Sequence, residues 1–292
     1  MRLATITLVL SCLFATSTSA QSTISDEPFE LHYGSGPMGI LGPSYRLGTD
    51  AGGATVYQDD GDTFGGLWKL EAVRRFLGTR TSFETSAFYG YAEANSNGSS
   101  LAANIPNPID GSDIALGPSS SHLKNKMNMW GIDFALRDTW RTRFGGLSAG
   151  LAFSYMYFDQ DFKVDRGTSR IVKENLDNDY IGGKGFVGWD GCILGRRSKI
   201  DVAVGYFDLD VDYTFKGSPT VPGSLFSKFS DTATTVEGDF TTYFDVKGCN
   251  CAFTVGALYI SEFGKIVHDP LVPASLSTDD AVLITGMVQI SL

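Results

Sequence analysis

Cysteine, histidine, basic charge and long apolar runs are all scarce in this 292-residue chain. Each scarcity excludes something. Of the four cysteines, Cys12 falls in an N-terminal leader, which leaves Cys192, Cys249 and Cys251. An odd number is not a disulfide framework. Cys249-Asn250-Cys251 lacks the two-residue gap of zinc and thioredoxin motifs, and no histidine adjoins it, so neither a metal nor a cofactor is expected. The three histidines, His32, His122 and His268, belong to no His-Glu-x-x-His motif, and no Gly-x-Ser-x-Gly elbow occurs. The chain is therefore not expected to be an enzyme. His268-Asp269 is the one pair that would suit a hydrolase at an exposed rim. Lys and Arg number 23 against 33 Asp and Glu, a net charge of −10 and one unit more negative without Arg2. That argues against a nucleic-acid partner, which calls for a basic patch. Beyond residue 15 no stretch approaches the ~20 apolar residues of a spanning helix. This leaves membrane barrels open, because their strands alternate apolar and polar residues and give a weak signal per segment.

The first twenty residues read as a secretory signal peptide. Met1-Arg2 is a minimal basic start, residues 3–15 are apolar, and Thr18-Ser19-Ala20 is a small-residue cleavage pattern before Gln21. The chain is rich in Gly (34 residues) and aromatics (12%), with only 19% charged residues, a composition of strands and turns. Residues 21–37 are expected to be a periplasmic arm or a partial strand, and residues 38–292 a single barrel domain.

Period-two alternation organises the rest. Leu147, Ala149, Leu151, Phe153, Tyr155 and Tyr157 oppose Ser148, Gly150, Ala152, Ser154 and Met156. The last eleven residues end the chain on a similar strand. Val282, Ile284, Val288, Ile290 and Leu292 share one face, with Thr285, Gln289 and Ser291 opposite. In residues 199–215 the apolar set changes phase between Tyr206 and Leu209, which suggests a β-bulge near Phe207 or Asp208. The pattern predicts about ten strands, within a range of 8–12. Short links are expected at 77–80, 141–146, 191–198 and 248–250, and long ones at 48–64, 92–126, 159–178, 216–233 and 264–279. Short and long alternate strictly, as in a transmembrane antiparallel up-and-down β-barrel with periplasmic turns and extracellular loops. A secreted soluble β-sandwich that binds a ligand is the alternative, although it has no reason to sort its loops by length.

The face opposite the apolar one carries the charges and is expected to line the lumen. Glu71, Arg75, Glu84, Asp133, Arg137, Lys184, Asp201, Glu237, Asp239 and Asp245 belong to it, and so do Lys69, Lys199, Asp208, Asp210 and Asp212. Its acidic excess would favour cations if the lumen is open. A small barrel is otherwise filled by its own side chains. Narrow pore and filled structural barrel are equally compatible with the pattern. Expected partners are outer-membrane lipid, the barrel assembly machinery and small solutes or cations. Cys192 and Cys249 or Cys251 sit in successive short turns, where the oxidising periplasm would allow one bridge.

Residues 177–190, Asp-Asn-Asp-Tyr-Ile-Gly-Gly-Lys-Gly-Phe-Val-Gly-Trp-Asp, resemble a glycine-rich strand of the Legionella-type major outer membrane protein family and of porin-like barrels of planctomycete-type bacteria. The resemblance covers the second half of the chain. It implies a pore-forming or structural envelope role and supplies no catalytic residue. The terminal Leu292 departs from the Phe on which such strands commonly end.

Overall fold

The computed structural model describes residues 29–291 apart from 51, 77–78, 99, 144, 219–220, 247–248 and 270–271. The expected signal peptide and Leu292 lie outside the described residues. Fourteen strands occur: β1 (Glu30–Leu41), β2 (Tyr45–Asp50), β3 (Thr55–Asp59), β4 (Asp62–Arg75), β5 (Thr81–Gly98), β6 (Ala103–Pro106), β7 (Asp113–Leu116), β8 (Ser121–Thr142), β9 (Gly145–Arg166), β10 (Ser169–Ile193), β11 (Arg196–Lys216), β12 (Ser224–Val246), β13 (Cys249–Val267) and β14 (Ser275–Ser291). Ten of them, β1, β4, β5 and β8 to β14, close into a ring of antiparallel neighbours, the expected up-and-down barrel. The other four form a small sheet in the order β3, β2, β6, β7.

The chain enters the barrel earlier than the sequence pattern suggests. β1 begins at Glu30, pairs with β4 from Glu30↔Val73, and closes the ring on β14 from His32↔Ser291. Both ends of the described chain therefore lie at the short-turn side. One of those turns joins β10 to β11 through Leu194 and Gly195, with φ of 52° and 79°. Two successive positive φ values make a type I′ hairpin, whose twist matches the flanking strands.

Three of the expected long loops are largely strand instead. Residues 159–178 continue β9 and β10 up to a turn at Gly167, with the pairs running from Asp190↔Gly146 to Ser169↔Arg166. Residues 48–64 and 92–126 contain the small sheet and the upper parts of β5 and β8. β9 alone has 22 residues, about 70 Å of strand at ~3.3 Å per residue. A tilted membrane strand needs only ~9–11 residues, so roughly half of each long strand stands clear of the bilayer.

A band of exposed apolar side chains marks the membrane. Leu136 is 54% exposed, Leu151 73%, Val187 60% and Val204 55%. Trp130 pairs with Tyr157 at its upper margin and Trp140 with Leu147 at its lower one, ten residues apart on each strand. That is about 33 Å of strand and about 25 Å of height at a tilt of ~40°, the thickness of the apolar band of such barrels. Stacked or tilted pairs Trp68–Tyr89 (5.9 Å) and Trp130–Tyr155 (4.9 Å) lie on its aromatic rim. No helix among the described residues is long and apolar enough to cross a membrane.

Above this band the alternation inverts while the register holds. On β11, Ile200, Val202, Val204 and Tyr206 point outward and are at least 38% exposed, whereas Phe207, Leu209, Val211, Tyr213 and Phe215 point inward and are at most 1% exposed. β11 pairs with β10 and β12 through this region without a register shift. The expected bulge is therefore absent. The change is one of surroundings: the outer face leaves lipid for water, and the inner face leaves a polar lumen for an apolar core. Asp208, Asp210 and Asp212, expected inside, consequently face out.

On the closing strand the described residues alternate in exposure. Ile284 and Val288 are 47% and 50% exposed, while Thr285 is 9% exposed and turned inward. A Lys at Ile284 or Val288 should cost ~2–4 kcal/mol near the bilayer midplane and reduce the compact band seen on SDS gels without boiling. Thr285→Lys should assemble normally, because its ammonium would lie beside Asp239; both Asp239 Oδ1 and Thr285 Oγ1 lie within 3 Å of the position a Cβ on Gly256 would take. Equal behaviour of the three variants would mean the faces are wrongly assigned.

Candidate functional site: a charged lumen beneath an apolar closure

Within the membrane band the lumen is polar because inward positions carry charged or small side chains. Glu71, Glu84, Asp133, Arg137, Lys184, Asp201, Glu237 and Asp239 meet around one cavity of about 110 Å³, together with Lys69 and Lys199. This cluster contains six carboxylates and four cations. Arg137 joins Glu84 and Asp201, each at 2.8 Å, and its guanidinium lies 4.5 Å above the Phe186 ring. Lys184 bridges Asp133 (3.3 Å) and Glu237 (3.1 Å), and Lys199 pairs with Asp201 at 2.7 Å. The residues come from β4, β5, β8, β10, β11 and β12, so the ion pairs cross-link the barrel wall from inside. A cavity of this size holds only a few waters.

Two of the expected lumen residues lie elsewhere. Arg75 sits at the lower rim, where it pairs with Glu30 at 3.1 Å and stays 55% exposed. Asp245 is exposed near the lower end of β12. The expected disulfide is also overturned. β11 and β12 separate β10 from β13, about 14 Å at ~4.8 Å per strand spacing, against the ~7 Å limit between Cα atoms of a bridge. Cys192 and Cys251 are free thiols, and the side chain of Cys249 lies outside what is described.

Above the charged lumen the barrel is filled. Phe158, Tyr180, Phe207, Tyr213, Phe215 and Phe263 are at most 1% exposed, and Leu47, Val56, Tyr57 and Ile105 of the small sheet complete the same core. The small sheet enters because the chain leaves β1 at Leu41 and folds back over the mouth. The top of the β13–β14 hairpin also turns in. A register shift between Ile260 and Phe263 bends β13, after which Tyr180 Oη donates to Glu262 O (2.8 Å) and Gly264 N–H donates to Asn178 Oδ1 (2.9 Å).

One buried carboxylate joins these parts. Glu174 of β10 accepts from Tyr45 Oη of the small sheet at 2.6 Å and from Tyr213 Oη of β11 at 2.5 Å. His268 Nε2, just past β13, lies 3.1 Å from it, and the two side chains are 1% and 0% exposed. Tyr45 stacks on Phe162 at 4.5 Å and meets the His268 ring edge-on at 5.5 Å. Burial alone would push the Glu174 carboxyl up, yet the facing His268 and the hydrogen bonds from His268, Tyr213 and Tyr45 hold it below its ordinary value. The sequence pairing of His268 with Asp269 is thus corrected. Its partner is Glu174, ninety-four positions away, and the pair is closed to a large substrate. Glu174 carries no signal in the sequence because its stretch has the composition of a loop.

No protein-family profile matches the sequence, and no curated protein matches it. Among solved structures, the outer membrane protease OmpT from Escherichia coli is similar in fold at 8% identity and a TM-score of 0.49, covering 94% of this chain and all of that one. The translocator domain of the autotransporter NalP from Neisseria meningitidis is similar at 10% identity and a TM-score of 0.45, covering 99% and 96%. A monoaromatic hydrocarbon channel, TodX, follows at 9% identity and a TM-score of 0.33, covering 91% of each chain.

Proposed function

We propose that this chain is an outer-membrane β-barrel of the structural kind, which holds a rigid acidic body above the membrane and does not act as a diffusion pore. The reading rests on one observation: the extracellular half of the barrel is filled by an apolar core that shuts off the charged lumen. A diffusion path needs continuous water, whereas the layer of Phe158, Tyr180, Phe207 and Phe263 above the lumen cavity is at most 1% exposed. Secretion through the expected signal peptide and kinship with the Legionella-type family belong to the same proposal. The kinship rests on residues 177–190 alone.

The test is conductance in planar bilayers. The wild-type barrel should give no discrete steps at 1 M KCl. Replacing residues 44–60 by a short Gly-Ser linker withdraws Tyr45, Leu47, Val56 and Tyr57 from the core, and this variant should conduct. Steady steps from the wild type would make the chain a porin and sink the structural reading. Silence from both would show that the small sheet is not part of the seal.

A further inference from the structure

The bend that takes the β13–β14 hairpin inward leaves the upper half of β12 paired on one side only. β12 pairs with β11 along its upper half, from Ser224↔Lys216 to Thr234↔Tyr206. Its ladder with β13 begins only at Thr235↔Ile260. At the junction Thr234 N–H donates to Ser261 Oγ across the gap. Even-numbered residues of this strand therefore turn their amide groups to that side, and residues alternate along a strand. Phe226, Lys228 and Ser230 thus turn their N–H and C=O groups to a side on which no described strand pairs with them, and residues 224–232 are all exposed or half-exposed. Thr232 N–H alone is satisfied locally, by Asp231. A free edge of this length is a template for a further strand.

We propose that the upper edge of β12 receives an extended, basic polypeptide segment by strand addition. Backbone pairing specifies an extended chain, and each alternate residue of that chain would meet an unpaired donor and acceptor. The charge around the edge selects the basic kind. Asp208, Asp210 and Asp212 face out on β11 and Asp231 lies on the edge, an acidic excess over Lys228, which pairs with Asp212 at 2.9 Å, on a chain of net charge −10. Phe226, 59% exposed, offers an apolar contact beside the ladder. A second copy of the barrel does not fit. Two copies in one membrane share their up–down direction, so facing β12 edges tilt oppositely and cross at ~80°, which permits no ladder. Glu30, where β1 begins, lies at the opposite end of the barrel.

The probe is a labelled octapeptide of alternating Lys and Val, titrated against the full barrel in phosphatidylcholine nanodiscs, with empty nanodiscs subtracted. Saturable binding is expected, weakened at least tenfold when alternate peptide amides are N-methylated. Ser230→Pro should weaken it similarly. Proline there removes a gap-facing N–H and leaves the ladder to β11 intact; the unboiled gel band checks folding. An alternating Glu-Val peptide should bind at least tenfold more weakly. Absence of saturable binding would overturn the proposal, and so would equal binding of the N-methylated peptide, which would reduce the contact to charge. A barrel that is dimeric in nanodiscs and dissociates on adding peptide would assign the edge to a second copy and overturn it as well.

Discussion

Glu174→Leu should open the upper closure while the membrane band stays folded. The substitution removes the one acceptor shared by Tyr45, Tyr213 and His268, from three separate elements. Each buried donor left without a partner costs about 1–3 kcal/mol, so the closure loses on the order of 3–5 kcal/mol, comparable with breaking a buried ion pair. The loss is local because Glu174, opposite Phe162, stands five positions above the Asp179↔Tyr157 pair at the aromatic rim. Amide exchange should therefore accelerate in β2, β3 and the top of the β13–β14 hairpin, with little change in residues 147–156 of β9. Glu174→Gln keeps one acceptor oxygen and should recover part of the protection. Uniform acceleration over the whole barrel would show that the closure and the band are one cooperative unit.

Acid should act on the same link in a defined window. The folded-state pKa of Glu174 lies below its ordinary value of 4.5. A depressed carboxyl contributes stability that is complete above the unfolded pKa and is lost as pH falls through the folded one. Through this group the closure should be insensitive between pH 7 and pH 5, and should loosen only below about 4.5. In Glu174→Leu that acid step should vanish.

The lower half of the fold is readable in the sequence because lipid outside and a polar lumen inside enforce a clean alternation. Leu147 to Tyr157 and Val282 to Ile290 follow it residue by residue, and both short turns and ring order come out as expected. The upper half alternates too, as Phe158, Gln160, Phe162, Val164 and Arg166 show on the inner face of β9. There the outer residues Asp159, Asp161, Lys163 and Asp165 are charged, so composition mimics a loop although the period is still two. The same inversion in β11 mimics a bulge, since a change of medium and a slip of register produce the same phase change in sequence. The small sheet leaves no comparable signal. β6 and β7 have four residues each, too few for periodicity to declare itself. Of the lumen charges, alternation groups those at band height correctly. It misplaces Arg75 and Asp245, because it assigns a face but not a height along the barrel.

The strongest effect inside the band should come from Lys184. Its side chain is 7% exposed and its ammonium stands between Asp133 and Glu237. Asp133 also accepts from Ser154 Oγ, so its carboxylate has no freedom to turn away. Lys184→Met fills the same volume but leaves two carboxylates facing each other in a cluster already short of cations, with six acids to three bases once Lys184 is gone. The expected loss is ~3–5 kcal/mol, read as a lower urea midpoint for the folded band in detergent. A purely packing role predicts almost no change, since Met and Lys have similar size. The double variant Lys184→Met/Glu237→Gln separates the two. If charge is the cause, the second substitution should restore stability, giving a coupling of ~0.5–3 kcal/mol between the positions. Additive losses would instead mean that the lumen is held by its wall, with the ion pairs contributing little.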